Sequence, residues 1–130
     1  MTERPTVVIA DDDAEIRHLV GVAVQRAGAT IGASVPDGAA AWQAIRDMEP
    51  DLAILDVAMP RMSGLEVCRS LRADPGTAET RVLLLSAAVH PAAPEAGVAA
   101  GADLYCSKPF SVRSLVTQIQ DLMTAPTRGG

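Results

Sequence analysis

The chain has 130 residues, 48% of them hydrophobic and 21% charged, with a net charge of −5. That length suits one domain with a self-sufficient core, and the composition excludes a disordered tail and a coiled coil. The acidic balance argues against non-specific nucleic-acid binding, and two distant cysteines, Cys68 and Cys106, argue against a disulfide framework. No apolar run reaches the length of a membrane span, and the start MTERPTVVIA lacks a signal peptide's basic and apolar regions. A cytoplasmic location without membrane contact is therefore expected.

In chain order, Thr6 to Ala10 (TVVIA) is a β-branched apolar run that predicts a strand buried on both faces. Ile16, Leu19, Val20, Ala23, Val24 and Ala27 recur at helical spacing from Ala14 to Ala27, with Gly28 as C-terminal cap. A weaker strand follows from Ala29 to Val35, and Asp37 caps a second helix running to Met48, ahead of Pro50. Leu52 to Val57 (LAILDV) reads as the third strand and Gly64 to Ala73 as the third helix, closed by the turn Asp74-Pro75-Gly76.

Arg81 to Ser86 (RVLLLS) is the most apolar run and belongs at or near the centre of the sheet. Ala92 to Ala100 is helical by composition, although Pro91, Pro94 and Gly97 weaken it. Leu104 to Ser107 makes a short fifth strand, and Ser111 caps a final helix carrying Leu115, Val116, Ile119 and Leu122. Residues 1–124 thus form one domain, and residues 125–130 (APTRGG) read as a frayed tail or the start of a linker. Strict β/α alternation implies an α/β fold, a parallel sheet with helices on both faces. Ligands of such sheets sit outside the carboxyl ends of the strands, where strand order reverses.

Those ends carry the chemistry. The first strand runs into Asp11-Asp12-Asp13, the third ends at Asp56, the fourth at Ser86, and the fifth leads to Lys108. Crowded carboxylates repel one another and commonly hold a divalent cation, and Mg²⁺ suits hard oxygen ligands and phosphoryl groups. Lys108 is the single lysine beside ten arginines, a compact ammonium able to approach a phosphoryl oxygen or a carboxylate. Pro109 after it restricts the local backbone, and a cis bond there would aim the lysine.

Together TVVIADDD, LAILDVAMPRMSG, VLLLSA and GADLYCSKPF resemble the receiver domains of two-component response regulators, from about Thr6 to Met123. The stretch D-x-x-M-P-x-x-x-G at Asp56 to Gly64 is the most specific part, and the order of all four carries the resemblance. It implies a flavodoxin-like, doubly wound (βα)5 fold with strand order 2-1-3-4-5. It further implies that Asp56 is the phosphoacceptor for a sensor histidine kinase or phosphotransfer protein. Asp12 would ligate Mg²⁺ directly and Asp11 largely through water, with Asp56 and the backbone carbonyl of Ala58 completing the protein ligands. Ser86 and Lys108 would each meet a phosphoryl oxygen. Ser86 and Tyr105 would form the switch, remodelling the face of the fourth helix, fifth strand and fifth helix, where partners bind and copies can pair.

Ser86 stands where threonine is commoner, and Ala58 and Ala88 are small and apolar where the family tunes hydrolysis, which implies a moderate to long phosphoryl lifetime. Two other readings remain open at this point. Asp11-x-Asp13 also satisfies the D-x-D of haloacid-dehalogenase-type phosphatases, with Asp11 as nucleophile and Asp13 as acid/base. A receiver-like interaction module that does not switch is the other. Asp13 reads better as a helix cap, Cys68 and Cys106 as small core hydrophobes, His18 and His90 as surface residues, and Arg61 as a solvated loop charge. Trp42 packs the second helix, and Met59 and Pro60 shape the loop after Asp56. A chain of this kind holds no direct nucleic-acid site. It acts either alone, through another protein, or as part of a longer one.

Overall fold

A computed structural model describes residues 4–87 and 99–124. Five strands, β1 (Thr6–Ala10), β2 (Thr30–Val35), β3 (Leu52–Asp56), β4 (Arg81–Ala87) and β5 (Leu104–Lys108), pair in parallel in the order β2-β1-β3-β4-β5. Between them run α1 (Ala14–Arg26), α2 (Gly38–Met48) and α3 (Gly64–Ala73), and the C-terminal helix spans Val112–Thr124. Most of the helix expected at Ala92 to Ala100 lies outside the described residues, as do Ala88, His90 and the expected tail 125–130. Among the described residues no helix is long and apolar enough to cross a membrane.

Side-chain alternation along each strand splits the core into two layers. Val7, Ile9, Leu52, Ile54, Leu83, Leu85 and Cys106 point to the face covered by α1 and the C-terminal helix. Val8, Ala10, Ala53, Leu55, Val82 and Leu84 point to the face covered by α2 and α3. The central strand β3 is buried at every position, so its near-continuous apolar sequence is what a two-sided parallel sheet requires. The edge strand β2 alternates exposed and half-buried residues.

Helix boundaries follow their caps. Asp13 accepts from the backbone N–H groups of Glu15 and Ile16, Asp37 from Ala40, and Ser63 from Glu66 in a reciprocal capping box. Ser111 Oγ accepts from Ser114 N at 3.0 Å at the start of the C-terminal helix. One expectation needs correction. Leu19 does not face the core but is 40% exposed, because Val20, Ala23 and Val24 already define the buried stripe of α1 and Gly21 takes the place beside them. Gly21 suits that spot, since a Cβ there would lie 3.2 Å from Ile31 Cδ1.

Two glycines set the loop after β3. A Cβ at Gly64 would lie 2.3 Å from the Asp56 carbonyl oxygen, and one at Gly38 would lie 1.9 Å from the Met62 carbonyl oxygen. The loop therefore folds back onto the end of β3 and under the start of α2, with Gly64 N donating to Val57 O at 3.0 Å and Gly38 N to Pro60 O at 3.3 Å. No side chain can relieve either contact, because the obstacle is backbone. Gly64→Ala is expected to cost more than about 2 kcal/mol of stability, read as a lower urea midpoint with unchanged m-value. An unchanged midpoint would show that the loop is not seated this closely.

Candidate functional site

Strand order reverses at β1, whose neighbours are β2 and β3, so a crevice opens beyond the carboxyl ends of β1 and β3. Asp11 leaves β1 into that crevice and is fully buried, while Asp56 closes β3 and is 4% exposed. Asp12 beside them is exposed. Oxygen atoms of Asp11, Asp12 and Asp56 lie within 4.8 Å of one another. From the next strands, Lys108 ends β5 opposite Ala87 of β4, and Ser86 is buried one residue earlier, opposite Ser107.

Lys108 joins the two buried carboxylates. Its Nζ lies 2.9 Å from Asp11 Oδ2 and 3.3 Å from Asp56 Oδ1. The Lys108–Pro109 peptide bond is cis. Asp11 Oδ1 accepts from Asp13 N at 2.9 Å, and its other oxygen faces the Lys108 ammonium. Asp56 Oδ1 also accepts from Ala58 N, at 3.4 Å. Asp13 is turned away from this cluster, because its carboxylate caps α1.

The charges do not balance. Two buried carboxylates share one ammonium, and Asp12 adds a third acid. Burial, followed by the charge of Asp11, pushes the Asp56 carboxyl above its ordinary 3.8, and Lys108 only partly offsets this. Burial works against the Lys108 ammonium too, but its hydrogen bond to Asp11 and the charges of Asp56 and Asp11 prevail and hold it above 10.5. A crevice with excess negative charge and three converging carboxylates fits a hard divalent cation such as Mg²⁺.

Tyr105 pairs with Leu84 and Ser107 with Ser86, so Ser86 and Tyr105 point to the same face of the sheet one step apart. Tyr105 is half-buried against the α2 and α3 layer. Arg61 stands at positive φ (73°) in the loop after Asp56, 72% exposed, with Nε 3.6 Å from Asp37. His18 is exposed, Cys68 and Cys106 are buried in the two core layers, and Trp42 packs into the α2 and α3 layer under Arg46.

Sequence reasoning missed Arg17, whose Nη1 donates to the Asp11 carbonyl at 2.7 Å. The helical period of the apolar positions does not reveal such a bond. The pattern Asp-Asp followed by Arg one turn into the helix is the signal that could have found it.

The raised carboxyl has a consequence for stability. A group whose folded value is raised stabilises the fold below its unfolded value, and that contribution is lost as pH rises through the folded value. In metal-free protein the ionised Asp56 is thus destabilising near neutrality. Asp56→Asn is expected to raise the metal-free Tm at pH 7 and to leave it nearly unchanged near pH 4. Thermal melts of both proteins across that range check this, and a variant less stable than the parent at pH 7 would refute it.

The chain matches the family model "Response regulator receiver domain" over residues 7–120. Among curated proteins it is 34% identical over 119 residues to the DNA-binding response regulator MtrA of Mycobacterium tuberculosis, covering 92% of this chain and 50% of that protein. It is 38% identical over 118 residues to the transcriptional regulatory protein GltR of Pseudomonas aeruginosa, covering 91% of this chain and 48% of that one. The chain thus spans about half the length of the curated relatives it matches. Among solved structures, the signal receiver domain of NarL from Mycobacterium tuberculosis superposes with a TM-score of 0.88 at 31% identity, over 96% of this chain and all (100%) of that one. Chemotaxis protein CheY4 of Vibrio cholerae gives 0.84 at 29% identity, over 92% and 99% of the two chains. By its sequence match, its strand order and the crevice at its strand ends, the chain belongs to the response regulator receiver domains of two-component signalling.

Proposed function

We propose that Asp56 accepts a phosphoryl group from the phosphohistidine of a sensor histidine kinase or phosphotransfer protein, in a Mg²⁺-dependent step that switches a protein-interaction surface. The observation that carries this reading is the convergence of Asp11, Asp12 and Asp56 beneath the single lysine. Asp56 presents a carboxylate oxygen that bonds to phosphorus as the phosphorus–nitrogen bond breaks, and the electron pair leaves with the imidazole. Lys108, already within reach of Asp56, neutralises charge on the transferring group, and the Ser86 hydroxyl donates to another of its oxygens. Asp12, Asp56 and the Ala58 carbonyl would hold Mg²⁺, with Asp11 beside them. When bound, the ion supplies the positive charge that the three acids lack.

Lys108 serves two states. Before transfer it binds both carboxylates, and after transfer it pairs with the phosphoryl group, which releases part of its hold on Asp11. Ser86 moves toward the new oxygens, and Tyr105, on the same face one step away, follows into the space it leaves. The altered surface comprises β5, the C-terminal helix and the segment before β5. It contacts a downstream protein or a second copy of the chain in the cytoplasm. The DNA-binding relatives are about twice as long as the matched region, and DNA contact is assigned to no residue of this chain.

Intact mass after incubation with Mg²⁺ and acetyl phosphate tests the reaction. One added phosphoryl group is expected on the parent, none on Asp56→Asn, and at least about tenfold slower addition on Lys108→Ala. Modification that survives Asp56→Asn but is lost in Asp11→Asn would overturn the assignment of the nucleophile and favour a phosphatase-like use of Asp11.

A further inference from the structure

We infer that Arg17 is a positioning residue for the cation ligands, acting on the peptide that joins Asp11 to Asp12 rather than on the cation. The inference rests on the Mg²⁺-dependent reading above. Strand β1 ends at Ala10, so the Asp11 carbonyl has left the sheet ladder and needs another donor. Arg17 supplies it at 2.7 Å. The guanidinium reaches back from the first turns of α1, where Arg17 N is bonded to Asp13 O at 3.0 Å, so its base is fixed by the helix.

Three bonds then clamp the segment. Asp11 N donates to Val35 O at 3.2 Å, Asp11 O accepts from Arg17, and Asp13 N donates to Asp11 Oδ1 at 2.9 Å. Between these points sits Asp12, whose exposed carboxylate makes no hydrogen bond or ion pair among the described residues and yet lies within 4.8 Å of the other two acids. Its position is set by the backbone that carries it. Without Arg17, the peptide plane between the buried and the exposed ligand is free to rotate, and a bound cation must first order it.

The sign of the effect separates positioning from simple electrostatics. Arg17 carries a positive charge close to a cation site, so by Coulomb's law alone its removal strengthens cation binding. A positioning role predicts the opposite. The role also differs from plain support of the fold, which would change thermal stability and leave the affinity of the folded protein for Mg²⁺ untouched.

The experiment is calorimetric titration of the full chain with MgCl₂, for the parent, Arg17→Met and Arg17→Lys, each first checked by a metal-free melt. Arg17→Met keeps an apolar stem but removes the charge and the donor. It is expected to weaken Mg²⁺ about tenfold, and Arg17→Lys, which keeps a donor, is expected to stay within about threefold of the parent. Unchanged or tighter binding by Arg17→Met overturns the inference while leaving the metal site standing. Absence of Mg²⁺ binding by the parent itself overturns the metal reading, and this inference with it. If Arg17→Met fails to fold, Arg17→Gln is read in the same way, because its amide is too short to reach the Asp11 carbonyl.

Discussion

One ammonium held between two buried carboxylates organises the functional end of this domain. Asp11 and Asp56 come from neighbouring strands in space, and both are removed from water. Burial, followed by the charge of Asp11, disfavours the ionised form of Asp56, and Lys108 compensates only part of that cost. The fold tolerates the imbalance because the sheet beneath it is buried on both faces and cannot easily deform. A site with unspent negative charge binds a cation well. In the proposed reaction that cation and the lysine together offset the charge of the incoming phosphoryl group.

The sheet explains why these groups meet at all. In a parallel sheet every strand ends on the same rim, so residues as far apart in the chain as Asp11 and Lys108 are brought together by topology alone. The register then refines the placement. Asp56 lies opposite Leu85, Ser86 opposite Ser107 and Lys108 opposite Ala87, which staggers carboxylate, hydroxyl and ammonium across adjacent strands. The backbone contacts of Gly64 and Gly38 hold the loop after Asp56 close to the rim without adding bulk there.

Much of this was readable from residues. Asp13, Asp37 and Ser111 announce helix starts because their side chains satisfy backbone donors locally, and such signals depend on three or four residues. The apolar runs of β3 and β4 announce a two-sided sheet for the same local reason. Asp11, Asp12, Asp56 and Lys108 could be placed on one rim because strand ends are the easiest feature to locate in an alternating fold. What escaped depends on long reach or on shape. Leu19 fits the helical period yet lies outside the buried stripe, since the width of that stripe is decided by what packs on it. Arg17 finds its carbonyl across the β1–α1 turn, which no periodicity encodes.

Arg72 shows the same limit at the other end of the sheet, and it bears on how a switch can operate. From α3 its guanidinium donates to the carbonyls of Gly101 at 2.9 Å, Ala78 at 3.0 Å and Thr80, and it pairs with Asp103 at 2.8 Å. Asp103 in turn accepts from Val82 N at 2.8 Å, so α3, the start of β4 and the approach to β5 are tied at one point. Both side chains are largely buried, and removing one partner of such a pair costs about 3–5 kcal/mol. A charge added at Asp56 therefore meets a sheet whose amino ends are fastened and whose carboxyl ends hold a strained electrostatic balance. The proposed switch is therefore placed on the side where Ser86, Tyr105 and Lys108 stand. Such placement would let a single modification bias one surface while the rest of the domain stays rigid.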